Sequence, residues 1–417
     1  MALKILFIGV GLVHYYNRVL NRLNALENVE VVNLVPKRSR GHLEEGVYAT
    51  EKNVSFNILS LPEKRITPVL KSFRGLRPLL VREQPHIIVY TDYYRYIFLF
   101  DWPVVNTVKR QKIKLIMKSI PFGIKKYPDA LADCDKIINS DTILPNVLRK
   151  NRYTPGIDIP RWFKWTLGRL SIALKKLSFN AAHAHVNYID DAYEIYQSYG
   201  VPQQKIFITS NSPDTDYLLS IRKRIENEPP IIPTSDHRII HVGRLVESKR
   251  VDLLIQALVL VKQEIPDAEL IVIGDGPERQ RLVEFAANLN ILESIIFIGA
   301  VYDADLLGKY IIASSVYVLA GMGGLSINDA MCFGRPVICS VCDGTEKRLV
   351  KDGYNGLYFK RGNQIDLAQK IVYLLENPRL QRKMGINSSS IIKNDINIHT
   401  VIKGYMTAFE YVMRHHA

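Results

Sequence analysis

Short apolar runs recur along this chain at intervals too long for hairpins, with helical patterns between them. Strands that follow one another at such spacing need crossover helices, so the pattern predicts parallel sheets covered on both faces. In the first half the runs are Leu3–Ile8, Val29–Leu34, Ile87–Tyr90, Ile113–Met117, Lys136–Ile138 and Ile206–Ile208. In the second half they are Arg238–Val242, Glu269–Ile273, Ile295–Ile298, Ser315–Leu319, Pro336–Cys339 and Gly356–Phe359. Each series suffices for a sheet of its own. Between them, Asn211–His237 carries Pro213, Pro229, Pro230 and Pro233. Proline removes helix and ladder donors, so this stretch reads as a linker. The prediction is an α/β chain of two Rossmann-like, doubly wound domains facing each other across a cleft. Residues 1–212 form the N-terminal domain, 213–237 the linker and 238–395 the C-terminal domain. A last helix, 396–417, is free to return to the N-terminal domain. Ligands of such folds bind at the carboxyl ends of the strands.

A chain of 417 residues with 47% hydrophobic and 23% charged residues can fill two cores, which argues against wholesale disorder. The net charge of +14 calls for an anionic partner but does not select one. No helix-turn-helix or aromatic stacking motif accompanies the charge, so nucleic acid is set aside as a partner. Four cysteines are too few for a disulfide scaffold. Cys339 and Cys342 make a CxxC without a second pair, which reads as strand-end packing and not as a metal site. A reducing, cytoplasmic compartment fits. Met1–Val13 lacks a small-x-small cleavage site and is read as a first strand and turn. The uncharged stretch Tyr310–Asn328 is broken by Gly321, Gly323 and Gly324, so it reads as strand plus loop and not as a membrane span.

Three segments carry chemistry. The first is Gly243-Arg244-Leu245 with Lys249 and Asp252 beyond it. A strand end, two cations and a helix start make an anion site, and arginine's planar fork suits phosphate. The second is Gly274-Asp275-Gly276-Pro277, a tight strand-to-helix turn. The third is Gly321-Met322-Gly323-Gly324-Leu325-Ser326, whose glycines let backbone amides approach a ligand closely. Asp329 follows about one turn into the next helix, where a carboxylate can accept from sugar hydroxyls or simply complement the helix dipole.

In order, GRL-x3-K-x2-D, GDGP, the glycine loop with its helical acid, FGRPVI and DGYNGL resemble the retaining glycosyltransferases of family four. That resemblance implies the GT-B fold, with the acceptor held by the N-terminal domain and a nucleotide-diphosphate sugar by the C-terminal domain. It covers Ile239–Phe359 strongly and Gly9-Val10-Gly11 more weakly. It implies that Arg244 and Lys249 grip the donor diphosphate and act as the catalytic cations. It puts Gly243, Gly274 and Asp275 beside the nucleotide and Val301 against the base. Gly323, Gly324, Leu325 and Ser326 would surround the diphosphate and sugar, with Asp329 on the ribose and Gly11 on the N-terminal side of the donor. It further implies retention at the anomeric carbon without a metal or other cofactor, the nucleotide sugar being a substrate.

Two departures stand out. The first acid of the family's Glu-x7-Glu pair falls on Gly321, and the second is Asp329. Where many members carry an N-terminal histidine, this chain reads Met117-Lys118-Ser119-Ile120; His14, His183 and His185 are the nearby alternatives. The expected activity is sugar transfer to a saccharide or lipid-linked glycan acceptor in envelope polysaccharide assembly. A sugar-nucleotide epimerase or hydrolase, and a degenerate donor-binding subunit that lost turnover through Gly321, are the alternatives.

Arg161–Leu177 reads RWFKWTLGRLSIALKKL, with five basic residues and no acidic one. Wound as a helix it gathers Phe163, Leu167, Leu170, Leu174 and Leu177 on one face. Arg161, Lys164, Ser171 and Lys175 fall opposite, with Trp165 and Ile172 as apolar exceptions. A basic amphipathic helix with tryptophan suits an anionic membrane surface, which would place the protein peripherally on the inner face of the plasma membrane. The alternative is a surface helix packing its leucines on the core.

Overall fold

Runs such as Leu3–Ile8 are apolar because both faces of the strand are covered: Ile5, Leu6, Phe7 and Ile8 are all buried. The computed structural model describes residues 2–37, 52–65, 70–139, 160–342 and 344–415. The N-terminal sheet holds β1 (Leu3–Ile8), β2 (Val29–Pro36), β3 (Asn57–Leu61), β4 (Ile87–Thr91), β5 (Lys114–Ser119), β6 (Ala184–Asn187) and β7 (Ile206–Ile208). The C-terminal sheet holds β8 (Arg238–Val242), β9 (Glu269–Ile273), β10 (Ile295–Gly299), β11 (Val316–Leu319), β12 (Val337–Cys339) and β13 (Gly356–Tyr358). Their spatial orders are 3-2-1-4-5-6-7 and 10-9-8-11-12-13, and every pairing within these two sheets is parallel. Each sheet therefore reverses direction once, between β1 and β4 and between β8 and β11, opening a crevice at the carboxyl ends of those strands.

Helices cover both faces of both sheets, giving four apolar layers. Phe73, Leu80, Tyr90 and Phe179 lie in the layer on one side of the N-terminal sheet. The other side is packed by the helix His14–Asn24 and by the C-terminal helix Ile398–His415, through Val19, Leu20, Tyr405 and Phe409. The chain's last helix thus crosses back over the N-terminal sheet. The C-terminal sheet is covered by Leu254, Leu258, Leu367, Ile371 and Leu375 on one side and by Ile327, Met331 and Phe333 on the other.

Three sequence expectations are corrected. Lys136–Ile138 is not a strand but lies within the helix Tyr127–Asn139, where Leu131 and Cys134 repeat at helical spacing against the helix Arg161–Ala181. The strand next to β5 is instead Ala184–Asn187, and β3 at the far edge has no counterpart among the predicted runs. The segment 213–237 is not all linker: Thr215–Ile225 is a helix, capped by Asp214, that packs Leu218, Ile221 and Ile225 on the C-terminal core. Its prolines flank the helix and do not interrupt it.

The helix Arg161–Ala181 turns its leucines outward, so of the two readings of this segment the core-packed leucine face is the one that fails. Trp165, Ile172 and Phe179, spaced by seven, form the packing seam, and a Cβ on Gly168 would stand 2.8 Å from Cys134 Sγ. Leu170 is 52% and Leu177 58% exposed, and Phe163 and Leu167 are exposed beside them. Several charges lie towards the body: Arg169 bonds both Asp135 carboxylate oxygens, and Lys176 sits 4.6 Å from the Tyr127 ring centre. The leucines do not pack on the core because the two residues that break the amphipathic pattern do.

Candidate active site

Two turns at the carboxyl edge of the C-terminal sheet are stitched together by their backbones. After β8 the chain runs through Gly243, Arg244 and Leu245; after β9 it runs through Gly274, Asp275 and Gly276. Gly243 N–H donates to Ile273 O at 2.9 Å, Leu245 N–H to Asp275 O at 2.9 Å, and Glu278 N–H to Leu245 O at 3.0 Å. Gly274 has φ +145°, and any Cβ there would collide with Gly243 O. The glycine is required because two backbones touch, which keeps the Arg244 turn and the Asp275 turn in fixed register. Asp275 accepts from Gly276 N–H at 2.8 Å, closing its own turn.

The glycine loop after β11 closes on the same point. Lys249 Nζ donates to Met322 O at 2.8 Å and to Gly323 O, and Met322 N–H donates to Ser248 O at 2.8 Å. Ser326 shares a 2.7 Å hydrogen bond with Tyr317 OH, which ties the helix start Ser326–Cys332 to the strand before it. Gly321 is buried, and a Cβ there would stand 2.5 Å from the Lys249 carbonyl carbon. The space that any larger side chain at this position would occupy is filled by the backbone of Ser248 and Lys249. Gly321 is thus a packing requirement here.

Asp329 sits in the first turn of Ser326–Cys332 and is largely enclosed. This enclosure pushes its carboxyl up to about 7, because a charge there loses water. Among the described residues, the groups that interact electrostatically with it include the Tyr317 hydroxyl and the Cys332 thiol. His241, at the end of β8, is fully buried; burial pulls its imidazole down to about 4, and its Nδ1 lies 3.0 Å from Val318 O. It is a neutral strut under the loop.

The structure therefore brings Gly243, Arg244, Lys249, Gly274, Asp275, Gly323, Gly324, Leu325, Ser326 and Asp329 to one carboxyl edge. Val301 follows β10 on that edge and packs on the layer containing Ile327. Gly11 belongs to the other sheet, in the turn between β1 and the helix His14–Asn24. Two of the alternative histidines are structural. His183 accepts from Leu115 N–H at 2.9 Å, and His185 is packed in full burial between Phe179 and Tyr196. The side chain of His14, and Asp343 before Gly344, lie outside the described residues. One supporting residue had no separate sequence signal: Glu346 is buried and accepts from Cys342 N–H at 2.8 Å and Gly344 N–H at 3.2 Å, shaping the loop after β12. That loop reaches the N-terminal domain, with Lys347 on Asp191 at 3.1 Å and Arg348 on Asp190 at 3.2 Å.

Comparison with known proteins bears on the fold. Residues 222–390 match the family model described as Glycosyl transferases group 1. An uncharacterized glycosyltransferase of Methanocaldococcus jannaschii is 33% identical over 179 residues, 42% of this chain and 45% of that protein. The chain spans about half the length of the curated relatives it matches. Among solved structures, a glycosyltransferase from Rickettsia africae aligns over 99% of both chains with a TM-score of 0.67 at 16% identity. A protein from Anabaena, solved in complex with UDP, aligns over 98% of this chain and 100% of that one with a TM-score of 0.66 at 14% identity. The fold is GT-B.

Proposed function

We propose that the chain is a retaining glycosyltransferase that moves a sugar from a nucleotide-diphosphate donor to a saccharide or lipid-linked glycan acceptor. The observation that carries this is the convergence of Arg244, Lys249 and the Gly321–Ser326 loop on one strand edge at a sheet reversal. Arg244 offers a planar fork and Lys249 a point charge, and both suit the oxygens of a diphosphate. Charge grows on the leaving diphosphate as the anomeric C–O bond breaks, so these cations stabilise the transition state more than the ground state. Asp329 would accept from the ribose hydroxyls and regain in the complex the hydrogen bonds that enclosure denies it. Retention without metal, and a role in envelope polysaccharide assembly, belong to this same reading. A thermal-shift screen of sugar nucleotides followed by a transfer assay tests it: a donor that raises the melting temperature and is consumed only with acceptor supports it. Donor consumption by water alone would favour a hydrolase, and binding without turnover a degenerate donor-binding subunit.

We also propose peripheral attachment to an anionic membrane through the helix Arg161–Ala181. Trp162, Phe163, Leu167, Leu170 and Leu177 are exposed together on a segment with no acidic residue. Among the described residues no helix is long and apolar enough to cross a membrane. The outward leucines supply the apolar contribution, while Arg169 is already paired with Asp135. Attachment on the N-terminal half would bring the acceptor side of the cleft to a lipid-linked glycan.

A further inference from the structure

One cation in the cleft has no role in the site described above. Lys118 lies near the carboxyl end of β5, on the sheet face that the helix His14–Asn24 covers. Its Nζ stands 3.2 Å from the Tyr16 ring centre and 5.5 Å from that of Tyr188. Tyr16 is held in turn by Tyr405, the two hydroxyls lying 3.1 Å apart. The ammonium is therefore fixed in an aromatic cage, which favours a cation but accepts none of its N–H bonds conventionally. Enclosure pulls its pKa well below lysine's ordinary value, and among the described residues no charged group offsets that loss of water.

The neighbouring strand offers a second unspent group. Thr91 pairs in register with Lys118, so the two side chains rise from adjacent strands on the same sheet face. The Thr91 hydroxyl is buried and has no hydrogen-bond partner among the described residues. Buried polar groups are normally satisfied, and an ammonium beside an unpaired hydroxyl asks for an oxygen-rich anion. The place is also right for a substrate. Tyr188 leads directly into Ile189, Asp190 and Asp191, which meet Gly344, Lys347 and Arg348 of the other domain.

We propose that Lys118 and Thr91 form an oxyanion subsite on the acceptor half of the cleft, so that the acceptor carries a carboxylate or a phosphate. This rests on reading the cleft as a transferase site. The test is a ligand-observed NMR titration of the full chain, with and without UDP. The probes are methyl glucuronide, glucose 6-phosphate and the neutral methyl glucoside. One anionic probe should bind roughly tenfold tighter than the neutral one. Whether the carboxylate or the phosphate wins identifies the source. Lys118→Met should erase the difference while leaving the neutral probe unchanged, Lys118→Arg should keep most of it, and Thr91→Val should weaken it by about threefold. Equal binding of all three probes, or discrimination that survives Lys118→Met, overturns the proposal. If Lys118→Met does not fold, Lys118→Arg and Thr91→Val still decide. Failure of the wild type to bind any nucleotide would instead count against the donor reading, since the comparison without UDP judges the subsite alone.

Discussion

Replacing Asp329 by Asn should change stability in a pH-dependent way whose sign is fixed by the site. In the folded chain the carboxyl titrates at about 7, against an ordinary value of 3.8. An acid whose folded pKa is raised costs stability once the unfolded chain can ionise. Below about pH 4 both states are protonated and the cost is absent. Between about pH 4 and 7 the unfolded chain releases a proton that the folded chain keeps, so stability falls as pH rises. Above about pH 7 the cost is complete. Three pH units correspond to ~4 kcal/mol, and water in the cleft reduces this to roughly 2–4 kcal/mol. Asparagine does not titrate, but its amide also needs partners, at about 1–3 kcal/mol at every pH. The stability of Asp329→Asn relative to wild type should therefore rise by roughly 2–4 kcal/mol from pH 4 to pH 8. Urea unfolding at pH 4, 6 and 8 reads this directly, because other titrating groups cancel in the difference. A pH-independent difference would refute the enclosure argument.

Wild-type affinity for a nucleoside diphosphate should increase from pH 6 to pH 8 as Asp329 ionises and accepts from ribose, whereas Asp329→Asn should bind more weakly with a flatter profile; calorimetric titration across that range checks it. Gly321→Ala should cost roughly 1–3 kcal/mol and displace Lys249, lowering both melting temperature and nucleotide affinity. Gly123→Ala, where a Cβ meets nothing within 4 Å, is the control, and equal behaviour of the two would contradict the packing role. Leu170→Glu with Leu177→Glu should abolish co-sedimentation with anionic vesicles, since each leucine loses apolar burial worth about 1.5–3 kcal/mol when complete. Retained binding would assign the helix face to another partner.

The alternation of apolar runs made the two parallel sheets legible, because strands buried on both faces are apolar without a period. Where strand-like runs failed, local pattern and tertiary context disagreed. Lys136–Ile138 is too short to show a period, and its assignment rests on Cys134 meeting Gly168 across a helix pair. The helix Thr215–Ile225 was hidden among prolines that lie outside it. The turns at the carboxyl edge of the C-terminal sheet were legible because Gly274 and its neighbours answer to backbone contacts that leave a fixed spacing in the chain. The orientation of Arg161–Ala181 was not, since an amphipathic pattern shows that a helix has an apolar face but not that the face is buried. Lys118 and Thr91 are far apart in sequence, and only the strand register brings them together.

The most direct measurement is the affinity of wild type and of the Arg244→Ala/Lys249→Ala double variant for nucleoside mono- and diphosphates. UDP, GDP and ADP would be compared with UMP, GMP and AMP by calorimetry at one salt concentration. The account predicts that at least one diphosphate binds more tightly than its monophosphate, and that the excess disappears in the double variant, which still unfolds cooperatively although it loses the Lys249 bonds to Met322 O and Gly323 O. Each charge-assisted contact contributes about 1.5–3 kcal/mol, so removing both should cost at least roughly a hundredfold. No binding by any diphosphate, or an excess that survives the double substitution, would contradict it.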